Sequence, residues 1–305
     1  MSETNEHCIS FEGNVINLSG RFTPESFFYF KLYEIMIHIH EMNNNGILKK
    51  FKITFEGCDF LCPNAMVILG VIDKWSKIKG IDLYFDFTNL TNYEVLTFIL
   101  NSGFASYVNG NKSKYDNIKS SKYFKWFDIS NENTGEIIDF IKDVVQLIPV
   151  RMSDELEADL ISKFYEIIIN SYHHSKSMVG IFSCAYYFEE SNVLHFAIYD
   201  CGEGIPNNVS NYLSEKISAV DALKWAFTDG NTTKKSDYPR GLGLGLLKSF
   251  VKANDGELFI YSREGTCSVL GPKVVYNEVK ERIPGTLFYL RVNTDNAHYV
   301  LRKNI

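Results

Sequence analysis

Glu166-Ile-Ile-Ile-Asn170, Asp200-Cys-Gly202-Glu-Gly204, Thr232-Thr233-Lys234-Lys235 and Gly241-Leu242-Gly243-Leu244-Gly245 are the residues whose types and spacing could do chemistry. Glu166 and Asn170 stand one helical turn apart and share a face. An Asn oxygen is a hard ligand suited to magnesium, and a carboxylate one turn earlier can act as general base towards a water or hydroxyl. Asp200 closes an alternating run in which Leu194, Phe196, Ile198 and Asp200 lie on one strand face. A carboxylate on a core-facing row needs a partner. The exocyclic amino group of adenine would be one, with Gly202 and Gly204 letting the base approach the backbone. Gly241 to Gly245 leads into an amphipathic helix, and amides at such a turn form a phosphate cradle. This is neither a Walker loop nor the dinucleotide fingerprint. The polar loop 228–237, with Thr232, Thr233, Lys234 and Lys235, is of a kind that closes over a triphosphate. Each piece has a plainer reading as well: a solvated helix face, a surface turn and an exposed charged loop.

The elements that must position these groups follow from periodicity. Residues 154–172 read as a helix, with Leu156, Leu160, Phe164, Ile167 and Ile168 on one face. Asp159, Lys163, Glu166, Asn170 and His173 form a second, polar stripe, flanked by Tyr165 and Ile169. Strands are expected at 179–188 and 193–200, helices at 135–147, 219–227 and 243–254, and strands at 257–262, 273–276 and 285–292. Upstream the order is strand 14–18, helix 24–42, strand 50–55, helix 64–79, strand 81–87 and helix 93–102. Strands alternating with helices imply a sheet covered by helices. A polar stretch, 109–134, separates the halves and is broken only by Tyr123-Phe-Lys-Trp-Phe127, a short strand or packing anchor. The chain is therefore expected to be α+β, with domains at 1–108 and 135–305 joined by a linker at 109–134.

At 305 residues the chain is long for one average domain. Its composition, 45% hydrophobic and 22% charged, is that of a globular protein, not a disordered one. A net charge of -6 argues against a surface built to coat nucleic acid. The acidic, polar N-terminus is not a signal peptide, and no apolar run approaches a membrane span, so no membrane partner is expected. The 6 cysteines form no CxxC pair and read as reduced thiols. These features point to the cytoplasm.

Taken in order, the motifs resemble the Bergerat-type fold of the GHKL (histidine kinase-like) ATP-binding proteins over residues 135–292. By that resemblance Glu166 to Asn170 matches the N box, Asp200-x-Gly202-x-Gly204 the first glycine box, and Gly241 to Gly245 the second. Thr228 to Lys235 looks like the ATP lid. The resemblance implies an α/β sandwich of helices on a mixed sheet, ATP and magnesium as cofactors, Glu166 as catalytic base and Asn170 as the metal ligand. It also implies nucleotide contacts from His173, His174 and the lid and glycine-box residues, and from Thr286 near the adenine and its partner acid. Within the superfamily, Glu166-Ile-Ile-Ile-Asn-Ser-Tyr-His-His174 is most similar to the anti-sigma-factor serine kinases and short-core sensor kinases. The first half resembles a STAS domain, the partner module of those kinases, through the turn Phe60-Leu-Cys-Pro-Asn-Ala65 and the end Leu100-Asn-Ser-Gly-Phe104. Cys62-Pro63-Asn64 stands where a phosphorylatable STAS domain carries serine, which implies an interaction module and not an internal substrate.

Four activities are compatible with these residues. One is a regulatory serine/threonine protein kinase acting on a partner. A histidine kinase is disfavoured because no dimerisation hairpin with an acceptor His precedes the core. A clamp or chaperone ATPase would normally carry a transducer domain after it. The fourth is an ATP-gated interaction module in a signalling, stress or conflict system. A protein partner is expected through the STAS-like half, and a homodimer is compatible with the sequence.

Overall fold

The computed structural model describes residues 8–24, 28–44, 49–110, 123–128, 130–148, 153–189, 191–228, 230–231, 243–253 and 255–293. It is a mixed α+β chain with two sheets, and it divides into two units, 1–126 and 127–305.

In the first unit β1 (Cys8–Glu12) and β2 (Val15–Phe22) make an antiparallel hairpin. β2 then pairs in parallel with β3 (Lys50–Thr54), and β3 with β5 (Asp82–Asp86). β4 (Cys58–Leu61) pairs in parallel with the far end of β2. Parallel neighbours need long crossovers. Those are supplied by α1 (Phe28–Asn44) and α2 (Pro63–Ile78), and α3 (Tyr93–Asn101) and α4 (Phe104–Asn109) complete the unit. Alternation puts Ile16, Leu18, Ile53 and Phe85 wholly inside. Pro63 opens α2, where its missing N–H costs nothing, and everything from Pro63 to Asp73 is buried. The Cys62-Pro63-Asn64 turn thus lies in the interior.

β6 (Phe124–Phe127) crosses the division between the units. In the second unit α5 (Thr134–Val145) begins where the Asn133 side chain accepts from the Glu136 N–H. It packs on α6 (Asp154–His174). The strands run in the order β7 (Ile181–Phe188), β8 (Val193–Asp200), β10 (Lys273–Asn293), β9 (Glu257–Leu270), all antiparallel. Between β8 and β9 come α7 (Gly204–Leu213), α8 (Ala219–Ala226) and α9 (Gly243–Ala253).

The structure departs from the periodicity reading at several elements. β1 is exposed along almost its whole length and so shows no alternation, and β4 and α4 have too few residues to show a period. α7 begins directly at Gly204, with Pro206 tolerated in its first turn. The two last expected strands are one continuous β10, whose register against β9 shifts between Glu278 and Ile283 and again between Ile283 and Thr286. Those irregularities accommodate Pro284, which has no N–H for a ladder.

Candidate functional site

The site is built where α6 lies over β8. Phe164 of α6 stacks on Phe196 of β8, ring centroids 4.6 Å apart. Seven residues along a helix advance about 10 Å and four along a strand about 13 Å, so the two chains stay in step. Ser171 of α6 thereby arrives beside Asp200 at the end of β8, and its hydroxyl favours the ionised carboxyl. Ser171 is 4% exposed, and its oxygen has no hydrogen bond of ordinary geometry. Leu160, Phe164 and Ile168 precede it on the same buried face.

Asp200 is 3% exposed. The Gly202 N–H donates to its Oδ1 at 3.3 Å, and the Thr286 N–H also favours the ionised form. Burial nevertheless dominates and raises its pKa to about 7. No lysine or arginine pairs with it among the described residues. Thr286 is its cross-strand partner on β10, and Ser262 of β9 is in turn the partner of Thr286. Directly opposite residues share a sheet face, so Asp200, Thr286 and Ser262 form a polar row across three strands. The Ser262 hydroxyl donates to the Gly285 carbonyl at 3.0 Å and accepts from the Ile205 N–H at 2.9 Å. Its single proton is then used, so Thr286 donates in the 2.9 Å contact between the two hydroxyls. Thr286 keeps acceptor capacity beside a carboxylate, and this pair suits a ligand that donates hydrogen bonds.

The glycines around Asp200 serve the chain's own approach to itself. A Cβ at Gly202 would lie 1.9 Å from the Ser175 carbonyl oxygen, and one at Gly285 would lie 1.7 Å from the Asp200 carbonyl oxygen. The Glu203 N–H donates to Ser175 O at 2.7 Å, and Asn208 Nδ2 donates to His174 O at 2.9 Å. The turn after β8 is therefore tied to the end of α6. Lys176 Nζ reaches Glu203 Oε1 at 3.0 Å across the same junction.

On α6 the polar stripe is partly enclosed. Lys163 is buried and bonded to Asp159, while Glu166 and Asn170 are half-buried. Neither Glu166 nor Asn170 has a side-chain partner among the described residues. His173 is exposed, with its Nε2 3.1 Å from Glu132 Oε2, and His174 is half-buried. Gly243 opens α9, Leu244 is half-buried and Gly245 lies in the first turn. Leu247 and Val251 are buried where α9 meets α6 and β9. Thr232, Thr233, Lys234, Lys235, Gly241 and Leu242 lie outside the described residues.

Sequence reasoning missed Ser171, Ser262 and Glu132. Ser171 has a local signal, a hydroxyl continuing the apolar row of Leu160, Phe164 and Ile168. Ser262 has none, because only the β9–β10 register brings it to Thr286.

The chain matches no protein-family model and no curated protein.

Proposed function

We propose that the second unit binds ATP with magnesium in the manner of a Bergerat-type GHKL domain, and that it works as a cytoplasmic signalling kinase or ATPase with a protein partner. The observation that carries this reading is the Asp200–Thr286 pair set beneath α6, whose next turns present unpartnered Asn170 and Glu166. Asp200 and Thr286 would take the adenine amino group, Asn170 the magnesium, and Glu166 the proton of an acceptor hydroxyl or water. Among the described residues no three His, Cys, Asp or Glu side chains could hold a metal by themselves. That fits magnesium, which is commonly bound through one or two protein oxygens together with substrate phosphates. When bound it would neutralise phosphate charge.

The first unit, in this reading, is a STAS-like partner module. The wholly buried Cys62 and Asn64 support that role over one as phosphoryl acceptor. The six cysteines, read as reduced thiols, fit a reducing compartment. No described helix is long and apolar enough to cross a membrane.

Incubation with γ-labelled ATP, alone and with co-purified proteins, tests the proposal. Label on a protein identifies a kinase and free phosphate an ATPase. Absence of both, together with absence of ATP binding in calorimetry, removes the reading.

A further inference from the structure

We propose that Arg263 is a positioning residue, which holds the Asp200–Gly204 turn in the shape that the base-binding row requires. This rests on the nucleotide reading for its functional consequence, but not for its structural one. Arg263 follows Ser262 where β9 changes register: Ser262 faces Thr286, yet Arg263 faces Ile283. Its φ is +55, a left-handed conformation that residues with a side chain adopt at a cost. Its side chain is turned inward and the residue is only 9% exposed.

The guanidinium carries five N–H donors. Among the described residues its one hydrogen bond is from Nη1 to the Glu203 carbonyl at 3.2 Å. No carboxylate pairs with it among the described residues. Burying a cation without a counter-charge is expensive, and an apolar side chain of similar volume would fill the space more favourably. What the arginine supplies is a donor to the turn. The backbone of Glu203 is held on both sides, its N–H donating to the Ser175 carbonyl and its own carbonyl accepting from Arg263. The preceding amide, Gly202 N–H, is the one that donates to Asp200 Oδ1, and a following amide, Ile205 N–H, donates to Ser262. The arginine stem also closes on Gly204, where a Cβ would lie 2.8 Å from Arg263 Cγ. Arg263 thus acts on Asp200 and Ser262 through the intervening turn, without belonging to the row itself.

Two full-length variants test this. Arg263→Gly keeps the left-handed backbone without strain and removes the guanidinium, and Arg263→Lys keeps a donor and the charge. Amide hydrogen exchange is measured without ligand, and affinity for ATP with magnesium by calorimetry. Arg263→Gly is expected to speed exchange of the Gly202, Glu203 and Ile205 amides about tenfold or more, with β7, β8 and β10 amides unchanged. ATP affinity should fall about tenfold, and Arg263→Lys should recover part of both effects. Turn amides as protected as in wild type would overturn the proposal. Exchange accelerated evenly over the sheet would also overturn it, since that marks a general strut. If wild type binds no ATP, the nucleotide reading fails, while the exchange measurement still decides the role of Arg263.

Discussion

Replacing Asp200 by Asn should stabilise the free protein at alkaline pH while weakening the proposed nucleotide binding roughly ten- to a hundredfold, the loss of one charge-assisted hydrogen bond. Burial raises the Asp200 pKa from 3.8 to about 7. A group shifted upward contributes its stability fully below the unfolded pKa and loses it as pH rises through the folded one. Wild type therefore weakens between about pH 4 and 7, where the folded carboxyl resists ionisation and the unfolded one does not. The rise corresponds to an upper bound of about 4 kcal/mol at pH 8. An amide escapes that penalty but turns an NH₂ group towards the Gly202 and Thr286 donors, which costs about 1–3 kcal/mol. The expected net gain is about 2 kcal/mol at pH 8, or roughly 4–8 °C in melting temperature. At pH 4 only the mismatch remains, and the mutant should be the less stable protein. Unfolding can be followed through Trp225 in a chain whose Trp75 and Trp126 are replaced by Phe, at pH 4, 6 and 8, with ATP titrations alongside. A stability difference between mutant and wild type that stays constant over that range would show that Asp200 does not titrate with a raised pKa in the folded protein.

Glu166→Gln should bind ATP almost normally yet lose about a hundredfold in turnover, measured under single-turnover conditions, and an unchanged rate excludes the base role. Asn170→Ala should make ATP titrations with and without magnesium coincide, whereas in wild type they should differ. Gly202→Ala should destabilise the second unit by about 3 kcal/mol in denaturant melts, because its Cβ would meet the Ser175 carbonyl at 1.9 Å. In the first unit Asp73 is fully buried, with a pKa raised to about 6 by burial and held down by Lys77 at 2.7 Å. Its contribution to stability is lost as pH rises through about 6. Lys77→Ala should therefore cost about 1 kcal/mol at pH 8, allowing for the half-exposed ammonium, and little at pH 4; equal losses at both would count against the pair.

Local pattern carried the candidate site a long way. A helix repeats every three to four residues and a strand every two, so Glu166 and Asn170 can be put on one face, and Asp200 on the row of Phe196 and Ile198, from a few neighbouring residues. The same logic locates α2, α5, α6, β7 and β8 closely. It fails for β1, whose residues are nearly all exposed and do not alternate, and for β4 and α4, which are too short to show a period. It also fails for the length of β9 and β10, whose extent depends on each other.

Types and spacing by themselves determined that an acid ends a strand, that an acid and an amide share a helix face, and that glycines cluster around that acid. Tertiary structure decided what those glycines are for. Gly202 is required by Ser175 and Gly285 by Asp200, contacts between segments far apart in the chain. It also decided that Thr286 and Ser262 extend the row from Asp200, and that Ser171 lies above it. Arg263 reaches the turn through a bend set by the slipped β9–β10 register. Cross-strand register is fixed by bulges and by the packing of distant elements, so no short window of sequence contains it.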